Sequence, residues 1–131
     1  MKYVVLIARS LISLFGIALL VLGILFWTGH ALSLLQLHMT LGGLFVISLW
    51  ALAAVGLLRS DTRGFAVVVL LWGLIVPALG VMQVSLLSGS DHWVIQAAHL
   101  LVGLIAMGLG HGLARRISRR PAEAVVVRES V

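Results

Sequence analysis

Four long apolar runs, at residues 11–27, 32–58, 65–87 and 93–113, are separated by short polar breaks. Each run can supply the roughly 20 apolar residues that carry an α-helix through a hydrocarbon core about 30 Å thick. Lipid offers the backbone no hydrogen-bond partners, so runs of this length and hydrophobicity read as helices. With their flanks, the four spans are expected at about 4–27, 31–58, 64–88 and 92–114. The first break is Thr28-Gly29-His30-Ala31, the second Arg59-Ser60-Asp61-Thr62-Arg63-Gly64, and the third Ser88-Gly89-Ser90-Asp91. Connections this short turn each helix back against its predecessor. Ser90 or Asp91 stands where a cap of the fourth helix is expected. The predicted architecture is an all-α, up-down-up-down four-helix bundle embedded in a membrane. It occupies residues 1–120, with a short polar tail at 121–131.

Composition agrees with the pattern. The 131 residues are 62% hydrophobic and 10% charged, with a mean hydropathy of +1.21. A soluble domain carries about 25% charged residues, so this chain lacks the polar surface of one, and it is too apolar for disorder. It has no cysteine, which excludes a disulfide scaffold, a thiolate metal site and a cysteine nucleophile.

Charge placement supplies an orientation. The nine cations are Lys2, Arg9, Arg59, Arg63, Arg115, Arg116, Arg119, Arg120 and Arg128. In a four-span chain both termini and the second break share one face, so every cation falls there. The positive-inside rule makes that face the cytoplasm and puts both termini inside. The expected location is the bacterial inner membrane, crossed four times. The net charge of +5 is then explained by insertion and by anionic lipid heads, and nucleic acid is excluded as a partner. The first span is longer than a signal-peptide core and no small-residue cleavage site follows it, so it reads as a retained helix. Arg9 can snorkel to the head groups, and Trp27 and Trp93 fall at the outer interface.

Glycine spacing hints at an internal repeat. Gly16 and Gly23 in the first span match Gly73 and Gly80 in the third, while His38 with Gly42 matches His99 with Gly103. Two hairpins related by a pseudo-two-fold along the membrane normal would produce this order and set the two histidines opposite each other.

No Lys, Arg, Asp or Glu lies deep in a span, so the histidines are the candidate functional groups. His38 and His99 fall at matched depth, roughly 10 Å below the outer boundary. Helices two and four are diagonal in a sequential ring, with axes about 12–14 Å apart. That separation favours a haem iron, reached by one imidazole from each side, over a small ion held directly. His92, Gln96, His99, Gly103, Ala106 and Gly110 share one face of the fourth span, and Ala31, His38, Gly42, Ala53 and Gly56 make a similar stripe on the second. Gly42, Gly103, Gly23 and Gly80 are expected to clear room for a flat macrocycle, with Phe15, Phe45 or Trp72 as stacking neighbours. Equally, small residues let membrane helices pack closely, and a lone membrane histidine often bonds a neighbouring helix. His30 and His92 stand at the outer mouth, suited to a haem propionate, a quinone carbonyl or solvent. His111, near the inner end beside Arg115, is suited to head-group contact. Met39 and Met82 near the depth of the pair raise copper as a further candidate. No hydrolytic or phosphoryl-transfer constellation is present.

In its four spans and its His38/His99 pair, the chain resembles small four-helix membrane b-type cytochromes, and equally one half of a haem A synthase-like bundle. The resemblance implies haem b with His38 and His99 as axial ligands. It implies electron transfer from quinol or another donor to a membrane or periplasmic partner, alone, as a homo-oligomer or within a larger complex. Two other function classes remain: a non-catalytic accessory or assembly subunit, and a small metal- or proton-handling membrane protein.

Overall fold

The computed structural model describes residues 1–119; the tail expected at 121–131 lies outside them. Four helices are present: α1 (Lys2–Trp27), α2 (Leu35–Leu57), α3 (Arg63–Met82) and α4 (His92–Ser118). All four are long and apolar enough to cross a membrane. A 3-10 turn, Leu32–Leu34, leads into α2, with Gly29 upstream at φ +77° making the reversal from α1.

The ends differ from expectation in three places. Helix α3 stops at Met82, short of residue 88. Past that point the Met82 carbonyl accepts from the Ser85 and Leu86 N–H groups and from Ser85 Oγ, and Leu87 and Gly89 adopt positive φ. Helix α4 runs on to Ser118, past the expected limit at 114. Asp91 occupies the N-cap position of α4 without a side-chain bond to the helix; its carboxylate accepts from Ser90 Oγ at 3.4 Å instead.

Helix α1 packs on α2 and α4, and α3 packs on the same two. Across the diagonals, α2 and α4 touch, whereas α1 and α3 do not, among the described residues. The ring is therefore flattened rather than square. Cα atoms of helices two and four come within 8 Å of each other. Glycine is the cause. A Cβ on Gly110 of α4 would lie 2.8 Å from a Leu49 methyl of α2, and one on Gly56 of α2 would lie 3.1 Å from a Leu113 methyl of α4.

Antiparallel packing puts the two helix ends Lys2 and Ser118 at the same end of the bundle, together with the α2–α3 turn. This basic end is tied by side chains as well as by packing. Arg59 donates to the Ile117 carbonyl at 2.8 Å, joining the α2–α3 turn to α4. It also pairs with Asp61 at 2.8 Å, and that hydrogen bond holds the Asp61 carboxyl below its ordinary range. The buried Thr62 hydroxyl donates to the Gly56 carbonyl, and Arg63 donates to that of Leu57. The Arg116 guanidinium lies 4.2 Å over the Phe65 ring, a cation–π contact. Above this end sits the apolar core, built around Ile12, Leu49, Leu52, Val69 and Leu113.

Toward the opposite end the burial stops. Neither residues 35–44 of α2 nor residues 92–105 of α4 include a buried side chain, and on α1 only Leu22 is buried beyond Ile12.

Candidate functional site

The two histidines lie in that loosely packed half. His38 is in the first turn of α2 and His99 is two turns into α4, and both are half-buried. Their ring centres are 6.4 Å apart, with the planes inclined at 52°. The Nδ1 atom of each is buried without a hydrogen-bond partner. An unpaired buried polar atom costs about 1–3 kcal/mol, and native structures carry few without a reason. Here two occur on one facing pair.

The pair is seated asymmetrically. His99 rests against Gly80 of α3, where a Cβ would stand 3.1 Å from the ring. Gly80 was expected to clear a macrocycle; what it makes room for is the imidazole itself. His38 is braced by Phe26 of α1, edge to face at 5.3 Å. Phe26 was not among the expected stacking residues. It ends a helix that packs on α2, and only the reversal through Gly29 and the 3-10 turn brings its ring beside His38. Of the expected stacking residues, Phe45 is buried in the core, and Trp72 is committed to a hydrogen bond from its Nε1 to the Val102 carbonyl at 3.0 Å.

Gly42 and Gly103 lie one turn beyond His38 and His99 on their helices. Both are half-buried, as is Gly23, yet a Cβ at any of the three would meet no heavy atom within 4 Å. No described side chain of a neighbouring helix lies against these three positions. The other glycines of the pattern behave differently. Gly73 receives the Trp50 indole, whose Nε1 would lie 2.6 Å from its Cβ and donates to the Leu70 carbonyl. Gly16 receives the Met107 thioether.

At the mouth, His30 is exposed and pairs with the Thr28 hydroxyl at 3.1 Å. His92 is half-buried with Nδ1 at 3.4 Å from the Leu86 carbonyl. Met39 and Met82, the candidates for copper, are 54% and 52% exposed, so both thioethers lie largely on the outer surface. His111 has a partner that the sequence did not reveal: its Nε2 lies 3.2 Å from Ser13 Oγ of α1.

The 6.4 Å ring spacing bears directly on what the pair can hold. Two imidazoles on opposite sides of one first-row metal ion, each nitrogen about 2 Å from it, place their ring centres about 6 Å apart. The spacing alone does not distinguish a haem iron from another ion. Among the described residues no group of three or more His, Asp or Glu side chains could complete a small-ion shell. A macrocycle would bring its own equatorial nitrogens and would need only these two side chains. Compared with protein-family models, curated proteins and solved structures, the chain gives no match.

Proposed function

We propose that this chain is a membrane b-type cytochrome whose His38 and His99 hold one haem b between α2 and α4. The observation that carries the reading is the facing imidazole pair, 6.4 Å between centres with both Nδ1 atoms buried and unpartnered. Bound between two imidazoles, haem supplies a one-electron couple with no open coordination position, suited to electron transfer rather than to oxygen binding. Gly80 and Phe26 hold the two rings in place, and Gly23, Gly42 and Gly103 keep side chains out of the space beside them. His30 and His92 at the mouth are suited to a propionate or to a quinone carbonyl.

The cations at one end support an orientation with that end and both termini in the cytoplasm, and the bacterial inner membrane as the location. The histidine pair then lies in the periplasmic half, so electrons would pass between quinol or another donor and a membrane or periplasmic partner protein. A homo-oligomer or a larger complex would supply any further carrier for crossing the full membrane.

The test is the visible spectrum of detergent-purified protein expressed with ample haem. A Soret band and sharp reduced α and β bands are expected, and His38→Ala or His99→Ala should each abolish them. A colourless wild-type protein sinks the proposal. Metal analysis of that colourless protein would then separate a small-ion site from a purely structural or accessory role.

A further inference from the structure

Of the cations at the basic end, Arg59, Arg63 and Arg116 are used by the fold, on Asp61 and the Ile117 carbonyl, on the Leu57 carbonyl, and on the Phe65 ring. Arg9 and Arg115 are not. Neither side chain bonds to a described residue, and both are exposed. They lie on the same seam. Arg9 and Ser13 are one turn apart on α1, His111 and Arg115 one turn apart on α4, and residues spaced by four share a helix face. The Ser13–His111 contact at 3.2 Å pins the two antiparallel helices in register. Ser13 Oγ also lies 3.2 Å from the Arg9 carbonyl oxygen. With its one proton given to that oxygen, the hydroxyl accepts from His111 Nε2–H. The register brings Arg9 and Arg115 to the same level, one turn nearer the basic end, and both are within electrostatic reach of the His111 ring.

Two exposed guanidiniums at one level of a packed helix pair make a place where an anion is favoured. The carboxylates of the described residues do not provide one, since Asp61 is engaged by Arg59 and Asp91 stands at the opposite end as the N-cap of α4. At this height on a membrane-spanning bundle the abundant anion is the phosphate of a lipid head group, and paired guanidiniums match its oxygens. We infer that the α1–α4 seam at the basic end is a binding site for the phosphate of an anionic phospholipid. Arg9 and Arg115 hold the phosphate, and the Ser13–His111 contact is the positioning element beneath them. The site is remote from His38 and His99 and stands whether or not haem binds.

The experiment titrates the full-length protein in detergent with phosphatidylglycerol, with phosphatidylcholine and with inorganic phosphate, reading bound adducts by native mass spectrometry. Phosphatidylglycerol is expected to bind at least about tenfold more tightly than phosphatidylcholine. Arg9→Gln and Arg115→Gln should each weaken it about fivefold, the effect of one cation at an anionic surface. Arg63→Gln, which removes an exposed cation at the same end but on α3, a helix that does not touch α1, should weaken it less than either of these variants. Circular dichroism of each variant checks that the helices persist. Equal binding of the two lipids overturns the site. So does an Arg63→Gln loss as large as that of Arg9→Gln, which would mark a diffuse charge effect. Inorganic phosphate binding the seam as tightly as the lipid would make the ligand a soluble anion and overturn the lipid assignment.

Discussion

In the basic half of the bundle, Gly56 and Gly110 are pressed between α2 and α4, with Leu113 and Leu49 filling the positions their missing side chains would take. In the opposite half, Gly42 and Gly103 stand on the same two helices and face no atom at all within 4 Å. One residue type thus serves two purposes. Below, the absent side chain lets backbones approach, and every helix contributes to one close-packed core. Above, the absent side chains leave open space one turn from each histidine. The close-packed core occupies the first half and the histidine pair the second, so the proposed binding site is drawn from the less tightly packed part of the fold.

The comparison can be broken by moving the features. The largest effect is expected for His38→Ala and His99→Ala, each of which should remove the whole haem spectrum while leaving thermal unfolding of the cofactor-free protein nearly unchanged, because neither ring belongs to the core. Gly110→Ala and Gly56→Ala should do the reverse. A methyl at 2.8 Å from Leu49, or at 2.9 Å from the Ala66 Cβ, overpacks the closed half and costs about 1–3 kcal/mol, measured as a lowered midpoint of thermal unfolding in detergent. Gly42→Ala and Gly103→Ala should cost no stability and add roughly 0.5–1 kcal/mol through helix propensity. Gly103→Leu should fill the flank and lower haem occupancy, read as the ratio of Soret to protein absorbance. Trp72→Phe removes the indole bond to the Val102 carbonyl and should cost about 1 kcal/mol.

Asp61→Asn is expected to have the smallest effect, since this ion pair is exposed. Its sign follows from the depressed carboxyl pKa. The contribution is complete above the ordinary value of 3.8 and is lost as pH falls through the lower folded-state value, so wild type and variant should converge in strong acid. A pH series of unfolding midpoints checks this.

The four helices and the pairing of His38 with His99 were legible from hydropathy and spacing, because lipid forces long apolar runs into helices and short turns force them antiparallel. What periodicity could not separate was the glycines. Gly42 and Gly56 fall on one stripe, as do Gly103 and Gly110, and a residue without a side chain carries no mark of whether its neighbour is near or far. That depends on the flattening of the ring, a property of all four helices together. Phe26 was missed because its contact with His38 runs around a turn whose path is set by Gly29 and a 3-10 segment. The Ser13–His111 bond was missed because two small polar groups 98 residues apart give no periodic signal. The early end of α3 goes with the positive φ of Leu87 and Gly89, which apolar run length does not register.

That early end makes the four legs of the bundle unequal. With 20 residues, α3 is about 30 Å long, which equals the thickness of a typical hydrocarbon core and leaves no surplus. Helix α4 has 27 residues and a length near 40 Å. A thicker bilayer can be met by α4 without adjustment, whereas α3 must unwind no further and draw the lipid thin around its Met82 end. Gly80, the seat of the His99 ring, is two residues from that end. The seat of one imidazole thus lies within a turn of the end of the shortest helix of the four.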